Sequence, residues 1–158
     1  MKKFLILKII ISVTICLAVG GFSGYLTSGS ISNWYGYLNK PFFNPPDWVF
    51  GPVWSVLYTL MGISAGIIWH QGLHREEVRK ALIAFGIHLV LNFSWSLVFF
   101  GLKMPELAFI EILILLTSIF YFSRLFYKIK PITAWIQVPY ILWVSFATIL
   151  NGAIAWLN

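Results

Sequence analysis

The chain is organised around residues 40–62, KPFFNPPDWVFGPVWSVLYTLMG, where a proline-rich segment leads into an apolar helix. Pro41, Pro45 and Pro46 fix φ and disfavour helix just before them, so the chain must arrive extended and turn. Asp47 follows the Pro-Pro pair and is a candidate N-cap for a helix beginning near Trp48. Trp54 and Tyr58 are four residues apart and share one face of that helix. A stiff segment followed by a Trp/Tyr face predicts a pocket for a flat apolar ligand.

The composition predicts an integral membrane protein. The chain has 158 residues, of which 59% are hydrophobic and 10% charged, with a mean hydropathy of +0.85. A soluble domain carries about a quarter charged residues, so there is too little polar surface here to cover a globule. The one cysteine, Cys16, lies in an apolar run, which excludes an internal disulfide and suggests neither a metal site nor a thiol catalyst.

Five apolar runs divide the sequence. Each has about 20–25 residues and matches a hydrocarbon core of about 30 Å. They cover residues 4–26, 48–70, 80–102, 106–127 and 132–157. We predict an all-α integral membrane protein, a five-transmembrane-helix bundle forming one domain over residues 1–158. Residues 27–47 are predicted to form a long outer loop, ordered by its aromatic residues. A secretory signal peptide is the alternative interpretation of the first run, whose length favours a span.

The basic residues predict the orientation. With five spans, nine of the eleven fall on the N-terminal side, and only Lys40 and Lys103 fall on the other. The nine are Lys2, Lys3, Lys8, Arg75, Arg79, Lys80, Arg124, Lys128 and Lys130. The positive-inside rule then predicts a cell-membrane protein with a cytoplasmic N-terminus, and with the long loop and C-terminus outside. Since these residues flank spans and build no single patch, they do not indicate nucleic-acid binding.

Motifs for acid–base, nucleophilic, metal or phosphate chemistry are not recognisable in the sequence. His88 and Glu111 are the ionisable residues at membrane depth and are therefore examined as functional candidates. We interpret His88 as a hydrogen-bonded interhelical histidine, with an axial haem ligand as the alternative. Glu111 lies close enough to a helix start to interact with its dipole or reach the interface, which indicates a structural role. No metal site is predicted.

Amide and aromatic residues recur at helical spacing in two later spans. Asn92 and Trp95 share a face with Phe99, and Trp143 shares a face with Ala147 and Asn151. An asparagine in an apolar helix must be hydrogen-bonded, either to neighbouring helices or to a polar ligand. Convergence of three helices favours a small-molecule cavity open toward the long loop, built from Trp54, Tyr58, Asn92, Trp95 and Trp143. Interhelical packing and interface anchoring are the alternatives for each residue alone.

The sequence resembles the TspO/MBR family of tryptophan-rich sensory and translocator proteins over essentially its whole length. The matching pieces are Trp34-Tyr35, Lys40-Pro41, Pro45-Pro46-x-Trp48-Val49, Gly51-Pro52-Val53-Trp54, Leu57-Tyr58, Met61-Gly62, Leu91-Asn92, Trp95, Phe99-Phe100-Gly101, Pro139-Tyr140, Trp143, Phe146-Ala147 and Leu150-Asn151. The resemblance implies five transmembrane helices, usually a homodimer, and a pocket for porphyrins, haem-like tetrapyrroles and isoquinoline or benzodiazepine compounds. The residues that it implies for the pocket wall are Tyr35, Trp54, Tyr58, Asn92, Trp143 and Ala147.

Three functions are open at this stage. The first is a membrane receptor or sensor for porphyrins such as protoporphyrin IX. The second is light- and oxygen-dependent breakdown of protoporphyrin IX, for which the resemblance implies that Trp54 and Trp143 are the catalytic pair. The third is transport of a tetrapyrrole or sterol. We expect no required cofactor, with the porphyrin as ligand or substrate. The cholesterol-recognition pattern of animal relatives is missing from the C-terminal stretch ILNGAIAWLN, which speaks against tight sterol binding.

Overall fold

The computed structural model describes residues 2–158, and within this range the secondary structure is helical, with no strand. Six α-helices account for most of it. They are α1 (Lys2–Asn33), α2 (Phe50–His70), α3 (Glu76–Ser96), α4 (Pro105–Ile129), α5 (Pro131–Trp135) and α6 (Val138–Leu157). A π-helical turn, Leu97–Gly101, continues α3. The predicted all-α class is confirmed.

Five segments within residues 2–158 are long and apolar enough to cross a membrane. They are Lys3–Ile31, Asp47–His70, Glu76–Gly101, Pro105–Ile129 and Pro131–Leu157. Their outer faces carry large apolar side chains that are more than half exposed, such as Ile10, Ile83 and Ile114. Such surface is stable only where lipid is the solvent. The chain is a multi-pass membrane protein that sits in a lipid bilayer.

The first helix is longer than the sequence predicts. We expected the first span to end at residue 26 and a loop to cover 27–47, but α1 continues to Asn33. The Thr27 hydroxyl donates to the Ser23 carbonyl at 2.9 Å, and the Ser28 hydroxyl to the Tyr25 carbonyl at 3.0 Å. Because these polar side chains find acceptors inside the helix, it extends beyond the apolar run. The connection that follows is correspondingly shorter.

The predicted capping role of Asp47 is wrong. Asp47–Val49 forms a 3-10 turn, α2 begins only at Phe50, and neither start has a side-chain cap. The Val49 amide instead donates to the Pro46 carbonyl at 3.0 Å. The backbone therefore satisfies this donor itself, and among the residues that the structure describes the carboxylate of Asp47 has no hydrogen bond.

The fifth span, predicted as continuous over 132–157, is interrupted. Helix α5 ends at Trp135, a turn follows at Ile136 and Gln137, and α6 starts at Val138. Pro139 lacks an amide hydrogen and its ring would clash with the carbonyl four residues earlier, which is that of Trp135. The break sits where this clash would occur.

Helices α1 and α2 approach so closely that their backbones touch. A Cβ atom added to Gly62 would lie 2.4 Å from Cα of Val13, and one added to Gly66 would lie 2.5 Å from Cα of Ile9. The two glycines are four residues apart, the small-residue spacing that lets membrane helices pack backbone to backbone. This contact fixes α1 along one side of the bundle.

Candidate functional site: an aromatic cavity

A cavity of about 360 Å³ lies between α1, α2, α3 and α6, near the segment that joins α1 to α2. The structure brings all seven predicted ligand-binding residues to its wall. They are Tyr35, Trp54, Tyr58, Asn92, Trp95, Trp143 and Ala147. The wall also includes Phe50, Phe99, Phe100 and Asn151. Aromatic rings and a few polar groups thus surround one ligand-sized space.

Trp54 is the centre of the aromatic wall. Its ring centroid lies 5.7 Å from that of Tyr58 and 6.3 Å from that of Trp95, with interplanar angles of 35° and 33°. The Tyr140 ring meets Trp54 edge-on at 6.2 Å. These separations are those of attractive aromatic pairs. Trp54 is therefore held between helices by packing, and its face toward the cavity is preset.

Trp143 supplies a free donor. Its ring contacts Phe50 at 6.0 Å and Phe146 at 5.6 Å. Its indole Nε1 is buried, yet it has no hydrogen-bond partner within residues 2–158. A buried donor of this kind costs free energy until something accepts its hydrogen. The unsatisfied indole N–H of Trp143 therefore costs stability at the cavity wall.

Tyr35 closes the cavity from the connecting segment. It is 3% exposed and packs against Phe50, Phe99 and Phe100. Its hydroxyl donates to Asn44 Oδ1 at 2.7 Å. The pKa of Tyr35 is raised to about 12. Burial is the largest cause, the negative charge of Asp47 also raises the pKa, and the hydrogen bond to Asn44 lowers it in part. The predicted order of this segment is confirmed at Tyr35, whereas Tyr37 and Phe42 are exposed to solvent or lipid headgroups.

A line of hydrogen bonds leads from the cavity wall into the bundle. The Tyr58 hydroxyl donates to Asn92 Oδ1, and Asn92 Nδ2 donates to the Tyr140 hydroxyl at 2.8 Å. The hydrogen of Tyr140 is then directed to His88 Nε2, 2.9 Å away. His88 Nε2 is consequently the acceptor, and the remaining hydrogen of the neutral ring sits on Nδ1.

The line continues in the same direction to its end. His88 Nδ1 donates to Ser118 Oγ at 2.8 Å, and the Ser118 hydroxyl donates to the Leu115 carbonyl at 2.6 Å. Both ring nitrogens of His88 are thus used between helices, and His88 does not line the cavity. The prediction of a hydrogen-bonded interhelical histidine is confirmed, and a haem-ligand role is disfavoured because neither nitrogen is free.

A second asparagine positions Trp95. The Trp95 indole donates to Asn151 Oδ1 at 3.1 Å, and Asn151 Nδ2 donates to the Pro105 carbonyl at 2.8 Å. This pair ties α3, α6 and the start of α4 together. The requirement that Asn92 and Asn151 be hydrogen-bonded is therefore met by protein groups.

Glu111 lies outside the cavity wall. The Ser94 hydroxyl donates to its carboxylate, joining α3 to α4. This contact agrees with the structural role predicted for Glu111.

Sequence reasoning missed the contribution of α1. Gly20, Ser23, Gly24 and Thr27 all line the cavity. A Cβ on Gly20 would lie 2.2 Å from the Tyr58 ring, so Gly20 makes room for that ring, whereas a Cβ on Gly24 would meet no atom within 4 Å. The stripe of small and hydroxyl residues was the available signal.

Within residues 2–158, five membrane spans, four of which enclose an aromatic cavity, define a polytopic helical membrane protein with an internal, ligand-sized chamber. The chain belongs to the TspO/MBR family, whose sequence model matches residues 12–157. It is 38% identical over 154 residues to the tryptophan-rich protein TspO of Archaeoglobus fulgidus, covering 97% of this chain and 98% of that protein.

Two further relatives carry other names. The translocator protein of Homo sapiens is 33% identical over 142 residues, and the match covers 87% of this chain and 83% of the human protein. The tryptophan-rich sensory protein of Cereibacter sphaeroides is 32% identical over 135 residues, covering 84% and 83%. These relatives span bacteria, archaea and animals, and the similarity extends over nearly the whole chain.

Proposed function

We propose that this protein is a membrane receptor or sensor that binds flat, apolar small molecules in the aromatic cavity. The ligands we propose are porphyrins, such as protoporphyrin IX and haem-like tetrapyrroles, and drug-like isoquinoline or benzodiazepine compounds. The observation that carries the proposal is the assembly of all seven predicted residues around one cavity. The names of the sensory and translocator relatives support a receptor role.

The size of the cavity sets how such ligands would sit. At about 360 Å³ it is near the lower end of the 300–1,000 Å³ that is usual for small-molecule sites. A drug-sized polycycle would be enclosed, while a tetrapyrrole would insert one edge and extend toward the mouth. Stacking on Trp54 would supply the affinity in either case.

A cavity-filling variant tests the proposal. Because Gly24 lines the cavity and nothing lies within 4 Å of a Cβ built on it, Gly24→Leu starts from open space and should occupy part of the cavity. We expect wild-type protein in detergent to bind protoporphyrin IX saturably in the dark, seen as tryptophan quenching and a Soret shift, and Gly24→Leu to lose most of this affinity. Gly86→Leu is the matched control, since Gly86 also has open space but lies outside the cavity. Equal binding by all three proteins would overturn the proposal.

Photodegradation is the second candidate, favoured by the position of Trp54 and Trp143 in the same wall. An excited porphyrin could take an electron from an indole held against its face, and oxygen would serve as the oxidant. Trp54→Phe and Trp143→Phe should preserve most stacking and remove the indole. If illuminated porphyrin decays equally fast with the Phe variants and the wild type, tryptophan chemistry is excluded. Transport has no specific observation in its favour.

Orientation and assembly belong to the same proposal. We infer a cell-membrane location with the N-terminus in the cytoplasm, which places the cavity mouth and the C-terminus outside. The homodimer implied by the resemblance stays a prediction.

A further inference from the structure

The charge of the cavity wall is negative and comes from one residue. Of the lining residues in the part of the chain that the structure describes, Asp47 alone carries a charge. It precedes α2 in the 3-10 turn, at the mouth. The inner end is neutral, because the hydrogen bonds from Tyr58 through Asn92 and Tyr140 leave His88 in its uncharged form.

The Asp47 carboxylate is not used by the fold. It caps no helix, it forms no ion pair, and no side-chain hydrogen bond to it occurs within residues 2–158. It is also exposed, so it can meet a ligand without breaking an existing contact. A carboxylate at a cavity mouth with no internal partner is free to pair with a cation.

Aromatic rings stand beside this carboxylate. Phe50 is one turn further along the chain, 6.4 Å from the ring of Tyr35 and 6.0 Å from the ring of Trp143. The negative charge of Asp47 reaches Tyr35, where it contributes to the raised pKa of that phenol. Aromatic faces combined with one carboxylate are the groups that proteins use to bind ammonium ions.

One of the protein's own lysines already forms such a cation–ring contact. The Lys40 ammonium lies 4.5 Å from the centroid of the Tyr35 ring. Lys40 is not part of the cavity wall, so its charge does not neutralise the mouth from inside. The Tyr35 ring therefore already contacts a cation.

We propose that the cavity selects flat aromatic ligands that carry a cationic ammonium group, with the ring system inside and the ammonium at the Asp47 carboxylate. This inference rests on the proposed function, since it assumes that the cavity binds ligands. A carboxylate on the buried end of a ligand would find no cation there and would lose its hydration without compensation. The acidic groups of a tetrapyrrole would accordingly remain outside the mouth.

Three pyrene probes of matched shape test the charge preference. They are 1-pyrenemethylamine, which is cationic at neutral pH, 1-pyrenemethanol, which is neutral, and 1-pyrenecarboxylic acid, which is anionic. Energy transfer from the tryptophans to pyrene is measured in phosphatidylcholine nanodiscs. The saturable signal that Gly24→Leu loses defines the cavity-bound probe. We expect the amine to bind more tightly than the acid, with the alcohol between them.

Asp47→Asn keeps the side-chain shape and removes the charge. We expect it to lower the amine-to-acid affinity ratio by about fivefold to tenfold, the effect of one partly screened charge, and added salt to reduce the wild-type ratio. Glu106→Gln removes an exposed carboxylate on α4 that does not line the cavity, and it should leave the ratio unchanged.

The remaining outcomes separate this inference from the proposed function. An unchanged ratio in Asp47→Asn overturns the inference. The inference is also overturned if the acid binds more tightly than the amine and Lys40→Gln abolishes this preference, because the mouth would then select anions. If none of the three probes gives a signal that Gly24→Leu removes, the proposed function itself fails.

Discussion

Asn39 and Asn158, which are 119 residues apart in the sequence, form two hydrogen bonds with each other. The Asn39 amide donates to Asn158 Oδ1 at 2.9 Å, and Asn158 Nδ2 donates to the Asn39 carbonyl at 3.0 Å. Asn39 Nδ2 also donates to the Leu157 carbonyl at 3.3 Å, one of the last carbonyls of α6, which have no partner within their own helix. The C-terminus thus fastens the segment that carries Tyr35 over the cavity.

Replacing Asn158 should loosen this segment without unfolding the bundle. Asn158→Ala removes two exposed hydrogen bonds to Asn39, each worth about 0.5–1.5 kcal/mol, so the thermal midpoint should change little. Hydrogen exchange in residues 38–44 should accelerate several-fold while α3 peptides stay unchanged. Exchange by mass spectrometry measures both. Unaltered exchange at 38–44 would mean that Asn39 and Asn158 do not hold the segment.

A substitution that removes the hydrogen bonds of His88 should destabilise the bundle. His88→Leu leaves the hydroxyl hydrogen of Tyr140 without its acceptor, at about 1–3 kcal/mol, and removes the donor to Ser118 Oγ, whose own hydrogen still bonds to the Leu115 carbonyl. We expect a thermal midpoint several degrees lower in detergent. His88→Gln, which retains a donor and an acceptor, should recover part of the loss. If His88→Leu is as stable as the wild type, the hydrogen bonds contribute nothing net.

The ring of His88 should show a single tautomer. The direction of the hydrogen bonds places its hydrogen on Nδ1, with Nε2 accepting from Tyr140. Nitrogen-15 NMR of histidine-labelled protein distinguishes a protonated Nδ1 from a protonated Nε2. His74, which is exposed, provides the reference spectrum of a histidine at the protein surface. A protonated Nε2 in His88 would reverse the derived direction.

Adding one methyl group to Gly62 should disrupt the contact between α1 and α2. The new Cβ would lie 2.4 Å from backbone Cα of Val13, which cannot give way like a flexible side chain. We expect Gly62→Ala to cost about 1–3 kcal/mol, the usual penalty for overpacking. Gly86→Ala, with open space around its Cβ, is the control and should be neutral. Equal midpoints for the two variants would contradict the close packing.

The orientation can be read by labelling single cysteines. The native Cys16 is buried and should stay unreactive toward a membrane-impermeant maleimide. In intact cells we expect Lys103→Cys to react and Arg79→Cys to react only after the membrane is opened, because the positive-inside rule places them on opposite sides. Both positions are exposed in the structure. The reverse pattern would place the cavity mouth in the cytoplasm.

The sequence predicted those cavity residues that recur at helical spacing. Trp54 and Tyr58, or Trp143 and Ala147, recur at helical spacing among residues of other types, so their shared face can be recognised before the fold is known. Helix α1 is apolar on all sides, and its hydropathy marks no cavity face. The role of Gly20 depends on where the Tyr58 ring lies, which only the packed bundle defines.

The wrong boundaries of the last span and of α2 are explained by backbone effects a few residues away from the residue that suggested them. Pro139 is visible in the sequence, yet its clash acts four residues earlier and divides the last span there. Asp47 has the residue type of a cap, but the Pro46 carbonyl receives the amide of Val49. In both places the backbone, and not the residue preference, decided the outcome.

The directional hydrogen bonds from Tyr58 to Leu115 have a consequence for how the bundle assembles. Their four helices enter the membrane in chain order, and Tyr140, on the last of them, joins Asn92 to His88. Before α6 docks, Asn92 and His88 each lack one partner. We expect water to fill these places until Tyr140 arrives, so that only the fully assembled bundle satisfies both groups with protein atoms. A chain ending before Tyr140 should accordingly exchange the His88 ring hydrogen with solvent far faster than the full-length protein.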